Sequence, residues 1–361
     1  MITMVTRYLF KSISAALFLA VLILLSIDVL FALIKELNDI SVAYTLGDVF
    51  FYVALTVPSK VYELFPVSAV LGVVMGLGAL AAGSELVVLM ASGFSKLRIA
   101  FVAVCSIGFW LLFVLWLGEF VAPAGDQMAQ DYRNHKISQG KSISTSKAIW
   151  LKDGDVVLKT TQLRAIGDSG AYELEGVTVF ELVDKRLSQV SKAEKATYKD
   201  HQWLLEGLQI SQFKDGGVSL VKKEQLKWSS RIEPEILSIS STRPKYLSLR
   251  DIKKYQQFTQ QTESMQSAYH IAWWSKWSFP LLVVATALCG VMTLFGQVRS
   301  GGMAQRLVLG IVIGIVIYLF NKTLLNFGEV YHVHPFWVAL LPSLALVITL
   351  SLLLSGKLKF S

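Results

Sequence analysis

The sequence predicts an α-helical membrane protein with six transmembrane helices and an inserted extracytoplasmic all-β domain of jelly-roll-like type. Three observations carry that reading. Of the 361 residues, 53% are apolar and only 17% charged, with a mean hydropathy of +0.53, a composition too apolar for a soluble globular chain. The charges are unevenly placed, since 40 of the 60 Asp, Glu, Lys and Arg residues fall between Ala122 and His270. The apolar remainder divides into runs long enough to cross a bilayer.

A helix needs about 20 apolar residues to cross the hydrocarbon. Leu64–Ser84, Ile99–Gly118, Trp277–Val298 and Val330–Gly356 reach that length without a charge. A further span runs from about Ser12 to Ile34, interrupted by Asp28, and Leu307–Asn321 extends through Leu325 to make the sixth. The first run follows Arg7 and Lys11 like a leader peptide, but it is too long and no small-x-small cleavage site follows it. The stretch Asp48–Pro58 is shorter, and Pro58 and Pro66 mark it as an interfacial or broken prelude to the second span, with a seventh span as the alternative. These boundaries divide the chain into a first transmembrane block at 1–121, a polar domain with flanking helical linkers at 122–270, and a second transmembrane block at 271–361.

Lysines and arginines near span ends set the orientation, because they are retained on the cytoplasmic side. One side collects Arg7, Lys11, Lys96, Arg98, Arg299, Arg306, Lys357 and Lys359; the other has only Lys35, Lys60, Lys276 and Lys322. Both termini are therefore expected in the cytoplasm, and the polar domain outside it.

Within the polar domain, AIWLK, DGDVVLKT, GVTVFELV, LSQVSKAEKATY, WLLEGLQISQF and VSLVKKEQLKW alternate apolar and polar residues between polar turns. That period of two predicts antiparallel strands with one buried face, closed as a sandwich or jelly roll. After them, Ser248–Ser264 reads as a polar helix with a narrow stripe of Leu249, Ile252, Tyr255 and Phe258. Cys105 and Cys289 lie in apolar runs, so the polar domain holds no disulfide.

Several chemistries find no support. Gly140, Lys141 and Ser142 supply only the tail of a phosphate-binding loop, without its first glycine or a preceding strand. There is no His-Glu-x-x-His and no cysteine pair at metal spacing. His332 and His334 offer two ligands at most, beside the interfacial aromatics Tyr331 and Trp337. The net charge of +8 is spread over a mixed-charge domain and short loops, which gives no nucleic-acid surface. Asp28 inside a span is expected to face protein, a water-filled space or the interface.

Two features invite a function. Gly72, Gly76, Ala79 and Gly83 form a small-residue stripe that suits tight helix packing. SELVVLMASGFSKLR then joins two spans on the cytoplasmic side. Ser84 can cap a short helix carrying Glu85, and Gly93 can end it, which gives an interfacial coupling helix at about 84–95 or a simple extension of the second span.

On RYLFKS, on LTVPSKVYELFPVSAVLGVVMGLGALAAGSELVVLMASG, and on GEFVAPAGDQMAQDYR, WSKWSFPLLVVATALC and HPFWVALLPSLALV, the chain closely resembles the LptF/LptG family of lipopolysaccharide export permeases. The resemblance implies a transmembrane subunit of an ATP-driven transporter, paired with a homologous LptF-like permease subunit and driven by an LptB-like ATPase dimer. LptC and the periplasmic LptA bridge come next in the path of the lipopolysaccharide. It implies that Glu85, Leu86, Val87 and Met90 lie on the coupling helix that seats in the ATPase. This chain would bind no cofactor, with ATP and Mg held by the ATPase. Spans one and five would form lateral gates, and Lys35 at the outer mouth would meet a lipid A phosphate. Part of the basic cluster that the resemblance implies is not matched, since Asn38 and Asp39 stand close by.

Two other classes compete. A membrane anchor or scaffold would fit the lack of catalytic motifs, yet one span would suffice for it. A lipid-modifying enzyme would need His135, His201, His332 and His334 to assemble with carboxylates, and their spacing does not suggest it.

Overall fold

A computed structural model describes residues 2–140, 149–166, 171–183, 186–199, 202–214, 217–228, 230–259, 263–295 and 303–354. The helices, in chain order, are α1 (Ile2–Leu37), α2 (Leu46–Ala82), α3 (Glu85–Ala91), α4 (Lys96–Trp116), α5 (Ala122–Gly140), α6 (Pro234–Ser241), α7 (Leu249–Phe258), α8 (Glu263–Phe295), α9 (Met303–Val330) and α10 (Pro335–Leu354). Seven strands lie between α5 and α6: β1 (Ile149–Asp153), β2 (Val156–Thr160), β3 (Gln162–Ile166), β4 (Ala171–Val183), β5 (Arg186–Lys199), β6 (Gln202–Lys214) and β7 (Gly217–Trp228). Two compact units result. One comprises Met1–Ile40, Leu46–Ala129 and His270–Ser361; the other comprises Ser41–Thr45 and Gln130–Tyr269.

Among the described residues, six helices are long and apolar enough to cross a membrane: α1, α2, α4 with its continuation, α8, α9 and α10. The broken prelude is corrected. Asp48–Pro58 is the first part of α2, which runs unbroken through Pro58 and Pro66, so there is neither an interfacial segment nor a seventh span there. A proline inside a helix costs about 3 kcal/mol. Breaking the helix within hydrocarbon would strand still more backbone groups without water, so the helix continues. Side chains near Pro58 satisfy their own hydroxyls, with Thr56 Oγ1 donating to the Val53 carbonyl at 2.8 Å and Ser59 Oγ bonding Asp126.

Helix α2 is the hub of the membrane unit. Of its most apolar stretch 78% is buried, against 11% for α1 and 17% for α9. The small-residue stripe seats α1 directly: a Cβ on Gly72 would lie 2.7 Å from Leu17 Cα, and one on Gly76 2.8 Å from Ile13 Cα. Between helices in lipid, association comes from such close packing and not from hydrophobic burial. Ser12 Oγ adds a bond to the Gly76 carbonyl at 3.0 Å. Gly290 of α8, and Gly310 and Gly314 of α9, approach Val70, Val74 and Val67 of the same helix.

The strands form one antiparallel sheet of order β1-β2-β4-β5-β6-β7, with β3 paired to β4 beyond the end of β2. Edge strands β1 and β7 are not paired to one another, so the sheet is one continuous surface with open edges and not a closed barrel. A crease crosses it. Gly176 and Gly207 both have φ above +60°, and the ladder pairs on either side of them place Gly176, Glu194 and Gly207 in one cross-strand row. At that row the buried face shifts phase by one residue in three strands: Leu174 to Val177, Ala193 to Ala196, and Leu205 to Leu208. Glycine tolerates the left-handed conformation that such a bend requires.

The apolar stripe of α7 is borne out at its centre, where Ile252 and Tyr255 are fully buried, and Ser248 caps the helix by accepting from Asp251 N at 3.1 Å. Tyr255 stacks on Tyr269 at 4.0 Å, and burial pushes its hydroxyl above the ordinary phenol range. Gln260–Thr262, the next part of the expected helix, lie outside the described residues. Helix α6 and strand β3 were not anticipated from the sequence pattern.

Candidate functional site

Two groups of residues stand at opposite ends of the spans. The first is α3 and its flanks. The chain leaves α2 through Gly83 and Ser84, and Ser84 adopts φ 60°, so its side chain makes no capping bond. The expected serine cap is therefore corrected: the turn between two helices puts Ser84 in the left-handed region, whereas a capping serine holds an extended backbone. The far end agrees with expectation. Gly93 at φ 93° lets its N–H reach the Met90 carbonyl at 3.1 Å while Phe94 N–H reaches Leu89 at 3.1 Å. Phe94 is buried in the membrane core, where Leu89 also packs, completing the hydrophobic contact of this stop. Ser95 then caps α4 by accepting from Arg98 N at 3.3 Å.

The four residues expected to meet an ATPase separate on this frame. Glu85 is exposed, and its Oε2 accepts from Tyr8 of α1 at 2.8 Å. Val87 is 49% exposed. Leu86 is only 4% exposed and belongs to the chain's own core, with Met90 packed against it. Val88, not singled out from the sequence, is the most exposed large apolar residue of α3. A seven-residue helix cannot signal its face by periodicity.

The second group is a belt of charges. At about 1.5 Å of rise per residue, Asp28, Lys60, Glu63, Glu119, Lys276 and Lys322 lie roughly 28 to 39 Å along their helices from the α3 end, which is the far boundary of the hydrocarbon. There they pair between helices. Lys60 Nζ is 3.2 Å from Asp28 Oδ2, joining α2 to α1. Lys276 Nζ is 2.8 Å from Glu119 Oε2, joining α8 to the end of the third span. Glu63 accepts from the Tyr318 hydroxyl at 3.1 Å and faces Lys322 at 3.9 Å, joining α2 to α9. Pairing lowers the cost of holding these groups at the edge of the hydrocarbon.

Glu119 reaches Lys276 from a π-helical turn, Leu117–Val121, which overlaps the start of the GEFVAP segment. Tyr62 packs tightly on Gly118 in that turn and stacks on Phe279 at 4.1 Å. Trp273, Trp274 and Phe336 form an aromatic layer at the same level, with Trp274 and Phe336 5.1 Å apart. Except for Asp28 and the lysines, the sequence reading missed this belt; charged residues within apolar runs were the signal that could have found it.

Of the four basic residues on this side, Lys35 differs from the rest. It is exposed in the last turn of α1 and, among the described residues, has no ion-pair partner. His332 and His334 lie in the turn between α9 and α10, and no group of three metal-ligating residues forms among the described residues.

Three spans, an inserted antiparallel β domain, three more spans and a short exposed helix between spans two and three define a polytopic membrane transport subunit. The family described as lipopolysaccharide export system permease LptF/LptG matches residues 7–355, and the chain belongs to it. Relatives include the lipopolysaccharide export system permease protein LptG of Escherichia coli K12, 29% identical over 93% of this chain and 94% of that protein. The LptG protein of Haemophilus influenzae is 27% identical over 99% of both. The chain is thus a multi-pass inner-membrane permease subunit for lipopolysaccharide export, with a transport and not a catalytic role.

Proposed function

We propose that this chain takes the LptG position in the transporter, extracting lipopolysaccharide from the outer leaflet of the inner membrane and passing it toward a periplasmic bridge. Its partners are an LptF-like permease subunit, an LptB-like ATPase dimer holding ATP and Mg, and LptC and LptA beyond. The observation that carries this is α3: a helix held at both ends, with Val87 and Val88 exposed and Glu85 tied to α1. Such a helix can receive a push from a soluble partner and deliver it to the first span.

Both termini and α3 face the cytoplasm in this reading, supported by the eight-to-four bias of basic residues, and the β domain is periplasmic. We read that domain as jelly-roll-like, supported by the crease and by the single apolar face that continues across it. Spans α1 and α9, the hub's least buried neighbours, serve as gate helices, and Lys35 meets a lipid A phosphate at the outer mouth.

Reconstitution tests this. The chain, co-purified with its permease partner and ATPase and placed in proteoliposomes, should hydrolyse ATP at a rate that responds to lipopolysaccharide. Stable association without such a response would leave a scaffold, and no association would remove the coupling role of α3.

A further inference from the structure

Beyond their share in the basic bias that sets the orientation, the transport reading gives the basic residues at the start of α1 no role. Arg7 and Lys11 stand one turn apart on one face, both exposed, and among the described residues neither has a carboxylate partner. Lys60, Lys276 and Lys322, by contrast, are all paired. Below the two cations opens a groove of about 560 Å3 between α1 and α4, with Phe10, Ser14, Ala15, Phe18 and Trp110 in its walls. The wall's polar groups bond each other, Trp110 Nε1 donating to Ser14 Oγ at 3.0 Å, and Phe10 rests edge-on against Phe109 at 5.7 Å. Beyond its charged mouth the groove is therefore apolar. From Arg7 to Phe18 it runs about 16 Å at the helical rise, close to the length of an extended acyl chain.

We propose that this groove binds an anionic glycerophospholipid, its phosphate held by Arg7 and Lys11 and one acyl chain laid along Phe10, Ala15 and Phe18 toward Trp110. The charge pattern selects the occupant. Two uncompensated cations at the boundary end attract an anionic head group, and basic pockets between transmembrane helices take lipids of this class. An apolar partner helix would fill the groove but leave both cations unmatched. A zwitterionic lipid would bring its own ammonium group to the same place. The leaflet rests on the orientation proposed above and would be the cytoplasmic one; binding itself does not depend on it.

The test uses the assembled transporter in mild detergent, where there are no leaflets, with phosphatidylglycerol carrying a photoreactive group on one acyl chain as the probe. After illumination and proteolysis, label is expected on residues 10–18 and on Trp110, displaced by unlabelled phosphatidylglycerol but not by phosphatidylcholine. The double variant Arg7→Gln/Lys11→Gln should lower labelling by about tenfold or more, as the loss of two head-group contacts implies. Ala15→Trp, which fills the groove and spares the charges, should lower it too. Equal labelling by phosphatidylcholine and phosphatidylglycerol probes, or labelling unchanged in the double variant, would reduce the site to ordinary annular lipid and overturn the proposal. Displacement by lipopolysaccharide as effective as by phosphatidylglycerol would overturn it in favour of a substrate path. Labelling of the isolated chain but not of the assembled transporter would show that another subunit covers the groove, and would overturn the proposal. Sidedness is read by cysteine labelling, described below, so a wrong orientation and a wrong ligand give different failures.

Discussion

At the residue scale, two lysines on the same side of the membrane have different work. Lys60 is committed to Asp28 at 3.2 Å, whereas Lys35 is exposed and unpaired among the described residues. Lys35→Glu should weaken photocrosslinking to lipopolysaccharide at matched protein levels, while Lys60→Met should chiefly lower the melting temperature in detergent. Both groups of the Asp28 pair are partly exposed at the boundary of the hydrocarbon, so the loss is about 1 kcal/mol. Adding Asp28→Asn should recover most of it, because the cost lies in the carboxylate left alone. A Lys35→Glu variant that crosslinks like wild type would remove this residue from the substrate path. The glycines offer a second contrast. Gly76→Leu must push α1 away, since its Cβ alone lies 2.8 Å from Ile13 Cα, and overpacking of this kind costs about 1–3 kcal/mol. Gly78→Ala, whose Cβ would lie 3.9 Å from Leu294, should leave the melting temperature unchanged or slightly raised.

At the scale of the element, α3 divides into a face that anchors and a face that is offered. Leu86→Ala removes a side chain from the membrane core and should cost about 2–4 kcal/mol of stability. Val88→Ala removes an exposed methyl pair and should leave stability intact while weakening co-purification of the ATPase. Equal effects of the two on both measurements would contradict the division. Tyr8 and Glu85 then connect this helix to α1. A carboxylate has acceptor positions to spare, so Glu85 can hold Tyr8 and a donor on the ATPase together. Tyr8→Phe should therefore leave the ATPase bound but lower the lipopolysaccharide response of ATP turnover. Glu85→Lys, which places a cation in the first turn of the helix, should lower both binding and turnover.

At the scale of the whole molecule, the arrangement of spans fixes which end works and which end receives. Five of the six spans, α1, α2, the third span, α8 and α9, carry the ion-pair belt at the end opposite α3. Single cysteines at Lys222 in β7 and at Ser92 after α3, both exposed, should report the orientation in a background without Cys105 and Cys289. An impermeant thiol reagent applied to intact spheroplasts should label the first and spare the second. The reverse pattern would invert the proposed topology.

The six long apolar helices and the alternating pattern of six of the seven strands were legible because they depend on composition and local period, which neighbouring residues carry by themselves. Gly93 as the stop of α3 was legible for the same reason: only its own backbone angle was needed. Other features depended on partners far away in the chain. Pro58 reads locally as a break, yet α2 passes through it because the hydrocarbon offers no water to an open backbone. Glu119 and Lys276 are separated by more than 150 residues, and their pairing follows from a π turn and helix packing that no local pattern encodes. The crease of the sheet lay in view as two glycines in strands, but only the register of β4, β5 and β6 put them in one row. By itself the sequence determined the long apolar helices and six of the seven strands, because each is set by local preference and period, and in the spans by the need to satisfy backbone groups in lipid. The tertiary structure alone decided that Leu86 faces inward and Val88 outward, and that of the four lysines at the belt end Lys35 has no ion-pair partner among the described residues, because burial and charge pairing are fixed only when helices meet.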